Sequence, residues 1–146
     1  MANNKVAAAL SNVLADSYNL MVKTHNYHWN VEGPYFPSLH TMFEGQYTEL
    51  FAAVDEIAER IRALGTKAPG SYAEFHKLSP IKDGDSGLEA KAMVADLVEG
   101  HKVLIERAKE AIEAAGDAGD DASEDMMIAR VQSHEKHVWM MESFLK

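Results

Sequence analysis

No cysteine occurs among the 146 residues. That excludes disulfides, thiolate metal sites and cysteine nucleophiles, and it leaves histidine and carboxylate chemistry. Positive charge is scarce. Fourteen Lys and Arg stand against 23 Asp and Glu, for a net charge of −9. Such a chain repels phosphate backbones unless it carries a local basic patch, and it attracts cations, metal ions included. Long apolar runs are missing too. The opening MANNKVAAAL has one lysine and neither an apolar core nor a cleavage pattern. We expect no signal peptide, no membrane span and a cytoplasmic protein. No glycine-rich phosphate loop is present, and nothing suggests a nucleophilic triad. His134-Glu135-Lys136-His137 is one residue short of the zinc-protease motif. Asp83-Gly84-Asp85-Ser86-Gly87 lacks the glutamate that completes a calcium loop.

What is there is helical periodicity. The length suits one domain, residues 1–146, and the apolar content of 47% is ordinary for a globular protein. Val6, Leu10, Val13, Leu14, Ser17, Met21, Thr24 and His28 trace one stripe, predicting a first helix over about Asn4–Asn30. Gly33-Pro34 and Pro37 stop it. From Ser38, the steps of three and four from Leu39 to Leu64 predict a second helix, with Gly65 suited to its C-terminus. A crossover of about twenty residues follows. Ser71 and Glu74 predict a short helix in it at about Tyr72–Lys77. Ser86 and Glu89 predict the start of a third long helix, with Leu97, His101, Leu104, Ala108 and Ile112 inward and Gly116 as its end. Asp121, with Glu124, predicts the start of a fourth. Its inward set is Met127, Ile128, Val131, Val138, Met141 and Phe144. Two helical hairpins joined by one long crossover make an all-α, ferritin-like four-helix bundle.

The stretch from His25 to Arg60 carries the chemistry. His28, His40, Glu44, Asp55 and Glu59 are the imidazoles and carboxylates that suit iron and its first-row neighbours. The short first connection lets His28 and His40 meet at one end of a hairpin. His40 and Glu44 are one turn apart, as are Asp55 and Glu59. The two pairs are separated by fifteen residues, or roughly 22 Å of helix. Ligands lie only about 2.0–2.2 Å from an ion, so one straight helix cannot bring both pairs to one metal. Two copies run antiparallel about a two-fold axis near Glu49 and Leu50 can, and such an axis makes two equivalent sites. Any one of these acids alone would be read as a solvated surface carboxylate. No glutamate has a histidine three residues later, so the Glu-x-x-His pair of an intrachain di-iron site is missing. His25 with His28, and His134 with His137, are spaced to clamp a metal, though packing is the commoner role. His76 and His101 have no partner visible in sequence.

The residues also resemble a known family. His25-x-x-His28-Trp29-Asn30-Val31-x-Gly33-x-x-Phe36, then Leu39-His40, then Asp55-x-x-Ala58-Glu59-Arg60, is similar to the Dps mini-ferritins. The likeness continues through Asp120-Asp121 and Met127-Ile128-Ala129 to His137-Val138-Trp139. It implies a hollow homododecamer with a ferroxidase site at each two-fold interface. Position by position, the implied ligands are His28, His40 and Glu44 from one subunit, Asp55 and Glu59 from its mate. The family often has Asp where Glu44 stands. The implied chemistry is oxidation of ferrous iron, by hydrogen peroxide in preference to O2. Ferric mineral is then stored inside the shell, which protects against oxidative stress. Zinc or manganese in place of iron suits the same ligands. Trp29, beside His28, would absorb oxidising equivalents, or simply pack an interface. Asp120, Asp121 and Asp125 would ring a three-fold pore. The same acids also suit a helix N-terminus. DNA-binding members often carry lysine-rich tails. Only Lys5 precedes the first helix core here, so we expect little or no DNA binding.

Overall fold

The computed structural model describes residues 2–146. Five helices run in the order α1 (Ala2–Asn30), α2 (Phe36–Ala63), α3 (Tyr72–Leu78), α4 (Ala90–Ala118) and α5 (Asp121–Leu145), with no strand among the described residues. At about 1.5 Å per residue the four long helices span roughly 38–43 Å. α1 with α2 and α4 with α5 form two hairpins, α1 packs on α4, and the short α3 lies against α1.

The apolar stripes close into one core. Val6, Leu10 and Leu14 of α1 meet Leu39, Phe43, Leu50 and Ile57 of α2, with Met93, Leu97 and Leu104 of α4 and Met127 and Met141 of α5. Each fully buried side chain of this size contributes about 1.5–3 kcal/mol. α5 is the weakest stripe: Ile128 is exposed and Val131 and Phe144 are half-buried, while Arg130 and His134 take inward positions.

Polar anchors hold the crossover. Arg107 Nε donates to the buried Asp16 at 3.1 Å, and its Nη2 donates to the Leu78 carbonyl at 2.7 Å. The Tyr27 hydroxyl donates to Asp96 and accepts from the Asp85 amide. Asn19 Nδ2 donates to the Ile81 carbonyl at 3.2 Å. A long loop is thus tied at three points to the elements it crosses.

Helix ends follow local competition for hydrogen bonds. The Ser71–Glu74 box forms, with Ser71 Oγ accepting from the Glu74 amide at 3.2 Å. The Ser86–Glu89 box does not, and α4 starts at Ala90. Asp85 captures the nearby amides instead, taking Gly87 N–H on its side chain and Leu88 N–H on its carbonyl. Ser86 Oγ turns to Asn26. Gly116 does not end α4. The helix runs through it to Ala118, and Gly119 ends it at φ 68°. A helical glycine costs only about 1 kcal/mol, whereas left-handed φ strongly favours glycine. Asp120, not Asp121, caps α5, accepting from the Ser123 amide at 3.1 Å.

Candidate metal centre

His28 is the last inward residue of α1, and His40 stands in the second turn of α2. Each ring reaches across to the other's backbone. His28 Nδ1 is 2.7 Å from the His40 carbonyl, and His40 Nδ1 is 2.7 Å from the His28 carbonyl. A carbonyl only accepts, so both Nδ1 atoms carry the proton and a neutral ring keeps its lone pair on Nε2. The rings stack with centroids 3.7 Å apart at 13°. Glu44, one turn beyond His40, brings Oε1 to 4.0 Å from His28 Nε2. One donor atom from each of the three residues lies within 4.8 Å of the others. His28 is buried, His40 half-buried and Glu44 exposed, so the cluster opens on one side. Held by their Nδ1 bonds, both rings are preoriented as a first-row divalent ion requires.

Asp55 and Glu59 are exposed on α2, about four turns from His40, and the same chain does not bring them into the cluster. Beside Asp55 runs a groove of about 620 Å³ lined by Leu14, Tyr18, Phe51, Val54 and Phe75. Phe51 is 66% exposed. It lies about three turns from His40, on the same face.

Trp29 is 62% exposed and lies against His25, with centroids 3.8 Å apart and the rings tilted by 35°. His25 also stacks on Tyr47 at 4.2 Å. Partial burial, then the neighbouring His28, holds the His25 imidazole below its ordinary pKa.

The three aspartates at the start of α5 separate. Asp120 takes Arg60 Nη2 at 2.8 Å as well as Ser123 Oγ and N–H. Burial works against its charge, but these bonds overrule that and lower its pKa. Its carboxylate is turned toward α2. Asp121 and Asp125 face outward.

Residues 7–146 match the ferritin-like domain family. The "DNA protection during starvation protein 2" of Bacillus anthracis is 36% identical over 143 residues, covering 98% of each chain. A crystal structure of a Dps protein from Bacillus brevis superposes with TM-score 0.96 at 38% identity, over 99% of this chain and 97% of that one. The chain belongs to the Dps branch of the ferritin-like family. Another Dps structure, from Vibrio cholerae, matches with TM-score 0.96 at 34% identity, over 99% of this chain and 91% of that one. That protein is described as a member of a broad superfamily of ferritin-like diiron-carboxylate proteins.

This Dps chain holds a second polar cluster that sequence reasoning missed. His101 of α4 and His134 of α5 are fully buried, with their Nδ1 atoms 2.8 Å apart. Arg130 donates to His134 Nε2 at 2.8 Å and pairs with both carboxylate oxygens of Glu49 on α2. Burial, then the charges of His137 and Arg130, push the His101 pKa down to about 3. The available signal was the inward register of His101 and His134. Their separation of 33 positions hid the contact.

Proposed function

We propose that this Dps chain is a ferroxidase and iron-storage subunit whose catalytic ligands come from two copies of the chain. His28, His40 and Glu44 of one copy bind Fe²⁺, and Asp55 and Glu59 of the two-fold mate complete the site. The observation that carries this reading is the reciprocal pair of Nδ1–carbonyl bonds between His28 and His40. It fixes both rings through Nδ1 and leaves Nε2 to bind beside a carboxylate, a donor set that fits ferrous iron and also accepts zinc or manganese. The exposed Phe51 and the groove beside Asp55 favour a second copy covering this face.

The substrates are ferrous iron and hydrogen peroxide, with O2 as the slower oxidant. Two Fe²⁺ ions give up one electron each, the peroxide O–O bond breaks, and with two waters the products are two FeO(OH) and four protons. His28 and His40 bind through Nε2 and keep their Nδ1 protons on carbonyls, so they position iron rather than shuttle protons. Glu44 is exposed at the open side, where it can take protons away to solvent. Trp29 stands next to His28 and would take up stray oxidising equivalents. Ferric oxyhydroxide then collects inside a closed homododecamer, reached past the outward-facing Asp121 and Asp125. Among the described residues, no helix is long and apolar enough to cross a membrane. The protein acts in the cytoplasm in this reading.

The test is stopped-flow oxidation of Fe²⁺ by peroxide. Losing even an outer-shell partner of a metal ligand costs roughly 10–100-fold, so removing a ligand by His28→Ala or Asp55→Ala should slow the fast phase by at least about 10-fold. Unchanged kinetics in both variants would reject the site.

A further inference from the structure

The outer face of α2 has the same spacing read from either end. His40, Glu44, Thr48, Phe51, Asp55 and Glu59 form one stripe at steps of four, four, three, four and four. His40 is half-buried and the other five are exposed. The steps are symmetric about the point between Glu49 and Leu50. Laid antiparallel on a copy of itself, the stripe therefore sets His40 against the partner's Glu59, Glu44 against the partner's Asp55 and Thr48 against the partner's Phe51.

The ends and the middle of the stripe differ in chemistry. At each end Glu44 faces another carboxylate, and like charges at close range repel until a cation lies between them. The ends suit an ion, but they do not hold two empty copies together. The middle holds Phe51, 66% exposed and the stripe's one large apolar side chain. Beside it Gly45 and Ala52 are exposed and small, and a Cβ on Gly45 would have nothing within 4 Å. Small side chains at the contact let two helices approach closely. From Phe51 the apolar surface continues into the groove wall of Leu14, Tyr18 and Phe75.

We propose that Phe51 anchors a two-fold contact between copies of α2. It is a positioning residue that brings Asp55 and Glu59 of one chain to His28, His40 and Glu44 of the other before any ion is bound. The proposal rests on the two-copy reading of the metal centre and adds what holds the copies together. Aromatic side chains near the centre of an interface carry much of its binding energy. With the contact supplied by Phe51, the ends take up and release ions without the copies parting.

The absence of cysteine makes the test direct. A single Thr48→Cys sets two thiols about 4.5 Å apart along the paired helices, whereas Glu56→Cys sets them about 20 Å apart. In EDTA, a short bismaleimide should link Thr48→Cys chains into covalent dimers and leave Glu56→Cys chains single. Adding Phe51→Ala to Thr48→Cys should abolish the link in EDTA. Mn²⁺ should restore it by bridging the facing carboxylates. Phe51→Leu, which keeps an apolar anchor, should link without metal. Fast ferrous oxidation per chain should rise with chain concentration in Phe51→Ala, which a role inside one chain would not produce. The anchor is overturned if Thr48→Cys chains link in EDTA equally well with and without Phe51, or if chains that keep Phe51 link only when Mn²⁺ is present. A link that Mn²⁺ fails to restore overturns it too, because Phe51→Ala would then do more than loosen the pair. If Glu56→Cys chains link and Thr48→Cys chains do not, the pairing of the helices is wrong and the two-copy site falls with it.

Discussion

A buried imidazole that stays neutral makes a fold sensitive to acid. His101 has its pKa pushed to about 3 by burial, then by His137 and Arg130, against an ordinary 6.5. His134 is moved the same way by burial, then by His101 and Arg130. In the unfolded chain both take up protons as the pH drops below 6.5, and in the fold they do not. The unfolded state then binds more protons, so stability falls from pH 6.5 toward 3. Each such group adds a slope of about 1.4 kcal/mol per pH unit. Glu49 acts in a lower window. Burial opposes its charge, but His137 and Arg130 bring it to about 2 from 4.5. Its contribution is complete above 4.5 and is lost as the pH falls toward 2; solvent screening of this half-exposed group shrinks it. Urea midpoints measured from pH 7 down to 4 should therefore decline, and His101→Leu should flatten that decline. Equal slopes in the two proteins would show that His101 is not the titrating group.

At helix ends the structure separates residues that look alike in sequence. Gly119 holds φ 68°, a left-handed conformation that costs an L side chain about 1–2 kcal/mol. Gly119→Ala should lose that much in chemical denaturation, whereas Gly116→Ala, inside α4, should be neutral or stabilising. Asp120 caps α5 and pairs with Arg60, while Asp121 faces solvent. Asp120→Ala should cost about 1–2 kcal/mol. Asp121→Ala should stay within about 0.5 kcal/mol. Equal costs would mean that the cap is misassigned. These pairs also mark what was legible in the residues. Apolar spacing gave each long helix, because a stripe at steps of three and four admits one periodicity. The approach of His28 to His40 was legible because five residues join α1 to α2 and leave little freedom. Ser86 and Gly116 misled because a capping residue or a glycine states only what a position tolerates. Asp85 and Gly119 competed for the same roles and won. The Glu49–Arg130–His134–His101 chain was illegible because its members lie on three helices, and only the packed bundle brings them together.

For the whole molecule, sign of charge and symmetry set the expectations. A net charge of −9 per chain gives an oligomer of this chain no general attraction for duplex DNA. A gel shift at physiological salt should show no retained DNA; retention would point to a local basic surface. Symmetry allows a sharper test. In the proposed interface each site draws His28 from one copy and Asp55 from the other. Shells of His28→Ala chains alone, or of Asp55→Ala chains alone, then contain no intact site. An interface that pairs one chain of each kind is different: one of its two sites has lost both residues, and the other keeps both. Random co-assembly of equal amounts makes half of the interfaces mixed. About a quarter of all sites, and about a quarter of the fast ferrous oxidation, should return. Unfolding and refolding the two variants together, against each refolded alone, is the measurement. If His28 and Asp55 served the same site within one chain, mixing would restore nothing.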